Sequence, residues 1–374
     1  MLVVMLGYGM VMPVMPFLIT QLGAGGTEMG WMTSSYALMQ LIFAPLWGIA
    51  SDRVGRKPIL MLGILGYAVA LLLFGLAKTF PMLFFARVLS GILSSATMPT
   101  AMAYIGDNAP EKERSGGMGK LGAAMGAGVV LGPLVGGWLS ADSFSFPFFL
   151  GSGLAALALV LVALILPEAQ EKIAQRKERK GFNLAAARAV LIGPAGVLLL
   201  LIFIMAVGLA NFQSIIGLYL VQRLAFDTAQ VGWLWMAIGG IMILAQGLLT
   251  ERLTKWVGER VVISGGLLVG AAGMLGILVA VNFSSMMTAV SILCLGLALM
   301  GPAMNAHISV FAGEHQGAVM GMNSASASLG RVIGPLWAGW LFDINTGYPF
   351  LSGAGILLLG FLVSLLALRK KAAG

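Results

Sequence analysis

Long apolar runs fill this chain, and short polar turns separate them. Runs open near residues 1, 31, 59, 80, 117 and 146, and again near 191, 232, 261, 286, 317 and 350. Most extend for about 20 residues, the length that carries a helix across a hydrocarbon core. Only helices and closed barrels satisfy their backbones in lipid. The runs are continuous rather than alternating, which predicts helices. The pattern predicts an all-α membrane protein with twelve transmembrane helices, numbered spans one to twelve. Pro13 and Pro16 fall inside span one, where each removes a backbone hydrogen bond that neighbouring groups must replace.

The polar positions set the topology. The densest cluster is the hinge between spans two and three, Gly48-Ile49-Ala50-Ser51-Asp52-Arg53-Val54-Gly55-Arg56-Lys57-Pro58. So many charges between two apolar runs must sit at a water interface. Three of its four charges are basic, which assigns it to the cytoplasm. Asp107 to Arg114, Thr250 to Lys255 and the terminal Arg369-Lys370-Lys371 fall on the same side. An even number of spans then puts both termini in the cytoplasm. Glu168 to Lys180 is a polar run that reads as a solvated joint, with Lys172, Arg176 and Lys177 also within reach of anionic lipid heads. It divides the chain into an expected six-helix bundle over 1–166, a linker over 167–188 and a second bundle over 189–374.

The two halves repeat each other. Gly132-Pro133-Leu134-Val135-Gly136-Gly137-Trp138-Leu139 recurs as Gly334-Pro335-Leu336-Trp337-Ala338-Gly339-Trp340-Leu341. Pro99 finds its mate in Pro302. Gly48…Asp52-Arg53 recurs as Gly247…Glu251-Arg252, without the Gly-Arg-Lys that follows in the first half. Landmarks in one order at a nearly constant offset indicate an internal repeat of about six helices. Two pseudo-symmetric six-helix bundles are one architecture of secondary transporters, with the substrate site between them.

Composition narrows the class. Charged residues make up only 10% of the chain and hydrophobic ones 59%, far from the roughly 25% charged of a soluble domain. The net charge of +8 does not mark a nucleic-acid partner. All basic residues outside Lys78, Arg223, Arg87, Lys120 and Arg331 map to cytoplasmic turns and ends, where they orient the helices. The single Cys294 excludes an intramolecular disulfide. Met1 opens almost directly into span one, so a longer N-terminus is expected. No metal-binding helix, phosphate loop or Ser/His/Asp set occurs, and an enzyme is not expected.

Several motifs resemble the major facilitator superfamily. Gly48-x-x-x-Asp52-Arg53-x-Gly55-Arg56-Lys57 resembles its loop between helices two and three. Arg87-Val88-Leu89-Ser90-Gly91 resembles its helix-four motif. Gly128-x-x-x-Gly132-Pro133-x-x-Gly136-Gly137 is similar to the helix-five motif of the drug/proton antiporter branch, and Gly7 to Pro16 to its helix-one motif. The resemblance implies the major facilitator fold and a twelve-helix multidrug or quinolone-type efflux pump, in the inner or plasma membrane. It implies a conformational latch at Gly48, Asp52, Arg53, Gly55, Arg56 and Asp107, with Arg53 or Arg56 pairing Asp107. It implies a helix-five seam between halves at Gly128, Gly132, Pro133 and Gly136. A substrate cavity is implied at Met10, Gln40, Phe43, Met98, Met102, Asn211, Phe212, Gln213, Trp235 and Asn305, where Met and aromatic side chains suit promiscuous binding. Arg87 and His307 are the candidates for proton coupling, since histidine titrates near neutral pH.

One departure stands out. Every acidic residue maps to a loop or helix end, whereas pumps of this type usually keep a carboxylate in mid-helix. Gln213 and Ala298 stand where related pumps often carry acids. This favours a neutral or anionic substrate. The expected function is export of small amphipathic compounds by alternating access, with the proton gradient as energy source and no cofactor. Small molecules and lipids are the expected partners, and the expected state is a monomer. Transport of one specific metabolite, or a non-transporting sensor with this fold, stays open as an alternative.

Overall fold

A computed structural model of the chain describes residues 1–167, 194–310 and 316–367. The described residues are helical apart from short turns, with no strand among them. The first half forms α1 (Leu2–Gln21), α2 (Gly26–Val54), α3 (Arg56–Leu76), α4 (Phe80–Ser94), α5 (Thr97–Asn108), α6 (Glu111–Leu139) and α7 (Phe146–Ile165). The second forms α8 (Pro194–Leu224), α9 (Thr228–Leu244), a π-helical turn (Ala245–Leu249), α10 (Thr250–Val257), α11 (Glu259–Val279), α12 (Phe283–Val310), α13 (Gln316–Ile344) and α14 (Tyr348–Ala367). Span four is α4 and α5, broken at Ser95 and Ala96. Span eight is α9 and α10, joined through the π turn.

Ten of these spans are long and apolar enough to cross a membrane by length and composition. The other two, α2 and α13, have 29 residues each. Both are diluted by polar side chains: Thr33, Ser34, Ser35 and Gln40 in α2, and Asn323, Ser324, Ser326, Ser328 and Arg331 in α13. With them the chain has its twelve spans.

Two compact units emerge. One holds residues 1–167 together with Leu220–Met236, and the other holds residues 194–219, 237–310 and 316–367. The polar run expected as a linker lies, from residue 168 onward, outside the described residues.

In the first unit the tightest approach is between α1 and α6. A Cβ added at Gly132 would stand 2.5 Å from the Leu6 carbonyl oxygen and 2.7 Å from the Gly9 Cα. One added at Gly136 would stand 2.5 Å from the Met10 carbonyl oxygen, and one at Gly128 would stand 2.7 Å from that of Leu2. Glycine every fourth residue puts one smooth face on α6, and backbone meets backbone along it. The second unit repeats the arrangement between α8 and α13. There a Cβ at Gly330 would stand 2.9 Å from the Val207 nitrogen, and one at Gly334 would stand 2.7 Å from the Val207 carbonyl oxygen. Spans nine and ten pack in the same manner, with Gly266 and Gly273 of α11 against Gly296 and Leu293 of α12.

Helix starts are capped in matching places. The Gly25 N–H donates to Glu28 Oε2 at 2.8 Å ahead of α2. Ahead of α9, the Asp227 N–H donates to Gln230 Oε1 at 3.0 Å and the Gln230 N–H donates to Asp227 Oδ1 at 2.7 Å. Such caps satisfy amides that the helix leaves unpaired.

Gly132→Val is expected to lower the stability of the detergent-solubilised protein by at least about 2 kcal/mol, because the clash is with backbone. Gly122, with nothing within 4 Å of an added Cβ, provides the reference. Gly122→Ala should leave the melting temperature unchanged or slightly raised. Equal melting of Gly132→Val and wild type would contradict the packing described.

Candidate functional site

The hinge between spans two and three is narrower than the sequence suggests. Helix α2 runs through Gly48 and Asp52 to Val54, and the turn is Gly55 alone, at φ 110° and ψ 155°. Residues with a side chain rarely adopt that backbone, so glycine is needed there. The single-residue turn places Arg56 at the start of α3.

Arg56 is buried, and its guanidinium reaches three groups. Nη2 meets Asp52 Oδ1 at 2.5 Å, Nε donates to Asp107 Oδ2 at 2.9 Å, and Nη1 donates to Ser51 Oγ at 2.5 Å. One side chain thereby joins the end of span two, the start of span three and the end of span four. A planar, permanently charged fork is suited to this. Next to it, Lys57 Nζ donates to the Ala163 carbonyl oxygen at the end of span six, at 2.8 Å. Arg53, the other arginine considered for pairing with Asp107, is exposed.

The second unit carries the same joint with its charges exchanged. Gly258 separates α10 from α11 at φ 83° and ψ 153°. Val257-Gly258-Glu259-Arg260 therefore stands where Val54-Gly55-Arg56-Lys57 stands in the first half. Arg260 Nη2 donates to the Leu365 carbonyl oxygen at the end of span twelve, at 3.4 Å, as Lys57 does at span six. Where Arg56 reaches Asp107, Glu259 Oε2 meets His307 Nδ1 at 2.5 Å near the end of α12.

These helix ends correct the register read from sequence. Gly48, Asp52 and Arg56 correspond to Glu251, Lys255 and Glu259, and the counterpart of Gly-Arg-Lys is Gly258-Glu259-Arg260. The Gly247…Glu251 match falls four residues away, so it kept the right helix face on the wrong turn. The cause is a second Gly-x-x-x-acid-Arg pattern one helical turn earlier, at Gly247 to Arg252. Span two has 29 residues and span eight has 30, the extra one absorbed in the π turn. Glu259 as a partner for His307 was missed because that pattern was matched instead. The Val-Gly pair was its only signal in the sequence.

The seam glycines Gly128, Gly132 and Gly136, with Pro133 beside them, lie against α1 inside the first unit. The next residue, Gly137, turns to a different neighbour in that unit. Its carbonyl accepts from Thr228 Oγ1 at 2.8 Å, and an added Cβ would stand 3.1 Å from the Gly232 Cα. Trp138 and Trp233 stack edge to face beside this crossing, with ring centroids 6.1 Å apart.

The residues expected to line a cavity separate into three groups. Met10, Asn211 and Phe212 are sealed in helix packing and nearly or wholly inaccessible. Asn211 sits between Gly334 of α13 and Gly353 of α14. Trp235 is also buried. Gln40, Phe43 and Gln213 are half-buried, and Met98, Met102 and Asn305 are exposed. Asn305 Oδ1 accepts from Asn323 Nδ2 at 2.7 Å.

Around Gln40 a polar group assembles in the first unit. The Arg87 guanidinium lies over the Tyr36 ring, 4.3 Å from its centroid. Gln40 Nε2 donates to the Tyr36 hydroxyl at 3.0 Å, the Ser94 hydroxyl lies 3.4 Å from it, and the Tyr8 ring is 6.4 Å from the Tyr36 ring. The cluster presents a cation, an amide and hydroxyls from spans one, two and four. It can hold an anionic or hydrogen-bonding group. Arg331 Nη2 donates to Ser328 Oγ at 3.3 Å on its own helix. Among the described residues no group of three or more His, Cys, Asp and Glu gathers as metal ligands would.

Twelve helical spans, ten of them strongly apolar, a repeated helix-hairpin joint and glycine faces in both halves define a multi-pass helical transporter of two related halves. Comparison with known proteins specifies it. The chain belongs to the Major Facilitator Superfamily, whose sequence profile matches residues 1–310 and 198–374. It is 33% identical to Multidrug resistance protein 1 of Bacillus subtilis (strain 168) over 362 residues, 96% of this chain and 92% of that protein. It is 27% identical to Quinolone resistance protein NorA of Staphylococcus aureus (strain MSSA476) over 372 residues, 99% of this chain and 95% of that protein. Among solved structures, the nucleoside transporter NupG superposes with a TM-score of 0.80 at 15% identity, covering 99% of this chain and 97% of that one. A bacterial homologue of the human lysosomal transporter Spinster, inward-facing and occupied, gives 0.80 at 14% identity, covering 99% and 95%. These two share the fold.

Removing the cation that bridges two carboxylates takes one attraction from each of them and leaves them close in like charge. Arg56→Gln is expected to destabilise the protein by about 2 kcal/mol. Asp107→Asn should cost less, because its carboxylate is more exposed and better screened. Thermal melting in detergent checks the order. Equal melting of Arg56→Gln and wild type would contradict the bridging role.

Proposed function

We propose that the chain exports small amphipathic compounds by alternating access. The observation that carries this reading is similarity over almost the whole chain to multidrug and quinolone resistance proteins. In this reading the protein works as a monomer in the plasma membrane, with both termini in the cytoplasm and the proton gradient as its energy source. Its partners are small-molecule substrates and the surrounding membrane lipids, and it does not bind nucleic acid. The joint of Asp52, Arg56 and Asp107 acts as a latch of the cycle, and its buried, multiply bonded arginine supports that role. The division into two bundles near residues 167–188 accords with the repeat. Arg87 over Tyr36, with Gln40 alongside, supports binding of compounds that carry an anionic or strongly accepting group. Export matches the names of the relatives, and the cation explains why the chain needs no mid-helix carboxylate to hold such compounds.

Everted vesicles from a host lacking its own pumps provide the test. Energised vesicles holding the chain should accumulate ethidium or a fluoroquinolone, and a protonophore should abolish the accumulation. Asp52→Asn should reduce it about tenfold while membrane insertion stays normal. Accumulation that survives the protonophore would refute proton coupling, and wild-type turnover in Asp52→Asn would refute the latch.

A further inference from the structure

We propose that Glu259 and His307 form a proton-binding site, and that its occupancy couples the proton gradient to transport. The inference rests on the export reading above and assigns its coupling site.

The geometry comes first. Glu259 opens α11 and His307 lies in the last turn of α12, with Oε2 and Nδ1 2.5 Å apart. That contact ties the start of span nine to the end of span ten. Its counterpart in the first half uses Arg56, which stays charged at every accessible pH. The cation of the first joint is therefore fixed. The second is built from an imidazole and a carboxylate, and histidine is the side chain whose ordinary titration spans about pH 5 to 8. With the imidazole protonated, the contact is an ion pair with a charge-assisted hydrogen bond. With it neutral, one partner has lost its charge and the bond weakens.

The surroundings suit exchange of a proton. The two side chains are 27% and 30% exposed, so water reaches them while they keep some shielding. The neighbouring pair Lys255 and Glu251 is 75% and 76% exposed and is mostly screened. Among the described residues, the charged groups on elements packed against the end of α12 are few. Helix α10 supplies Glu251, Arg252 and Lys255, of which Glu251 and Lys255 bond each other at 2.6 Å. Helix α11 supplies Glu259 itself and Arg260, which donates to the Leu365 carbonyl oxygen. The described part of α13 supplies Arg331 and Asp343, and the π turn supplies none.

The consequence for movement follows from the backbone. Gly258, immediately before Glu259, holds a positive φ and acts as a swivel between α10 and α11. Pro302 interrupts the hydrogen bonding of α12 ahead of His307. A change of charge at the pair acts on two helices at their most pliable points. The absence of acids from mid-helix positions leaves this pair as the described site where a carboxylate and a histidine meet directly.

Reconstituted full-length protein in liposomes decides the matter, with a fluoroquinolone, which carries a carboxylate, as the probe. Wild type should move the fluoroquinolone downhill at equal pH and accumulate it when a pH gradient is imposed. His307→Gln should lose gradient-driven accumulation by at least about tenfold while downhill movement stays within about twofold of wild type. His307→Lys keeps a cation beside Glu259 but cannot titrate in this range. A purely structural ion pair tolerates it, whereas the proposed site loses coupling as in His307→Gln. His315→Gln, at the other histidine of the chain, should retain full coupling. Gradient-driven accumulation at wild-type level in His307→Lys or His307→Gln overturns the proposal and leaves export intact. No fluoroquinolone movement by wild type in either condition overturns the export reading, and this one with it.

Discussion

Contact of bare backbone with bare backbone organises each half of this protein. Lipid gives helices no hydrophobic reason to associate, so close packing must do the holding. In the first unit that contact is α1 on Gly128, Gly132 and Gly136 of α6, and in the second it is α8 on Gly330 and Gly334 of α13. A contact without side chains tolerates no addition, and so it fixes the rotation of span one and span seven about their axes. The rotation decides which residues face inward. Met10, Asn211 and Phe212 are sealed because their backbones lie on or beside these faces.

This is also why some features could be read from the sequence and others could not. Span number, the repeat and the hinge follow from run length, spacing and charge, which need no knowledge of helix rotation. The cavity residues needed that knowledge. Spans one, seven and eight are apolar on all sides, so periodicity gives no facing. Family resemblance placed Met10 and Asn211 in a cavity-lining segment, but not on a particular side of it. The latch was partly legible. The motif offered both Arg53 and Arg56 as partners of Asp107, and the single-residue turn at Gly55 selects Arg56 by bringing it to the first position of α3.

The paired joints show how a repeat can keep an architecture and change its chemistry. Position by position the second half retains the positive-φ glycine, the basic residue that reaches a carbonyl three spans along the chain, and the bridge to the neighbouring span. The signs of the bridge are reversed. A bridge with a guanidinium is a fixed tie, and one with an imidazole answers to its medium. The fold is shared with nucleoside and lysosomal-type transporters at very low identity. The common part is therefore the helical frame.

The π turn at Ala245–Leu249 sets the register between the halves. It takes up one surplus residue inside a helix without lengthening any loop. Across it the two copies fall out of step by one, although their caps on both sides agree. The helix stores that residue as a local widening and keeps its faces aligned with those of the other half. A chimera that spliced the halves across this point at one constant offset would inherit a face rotated by about 100°.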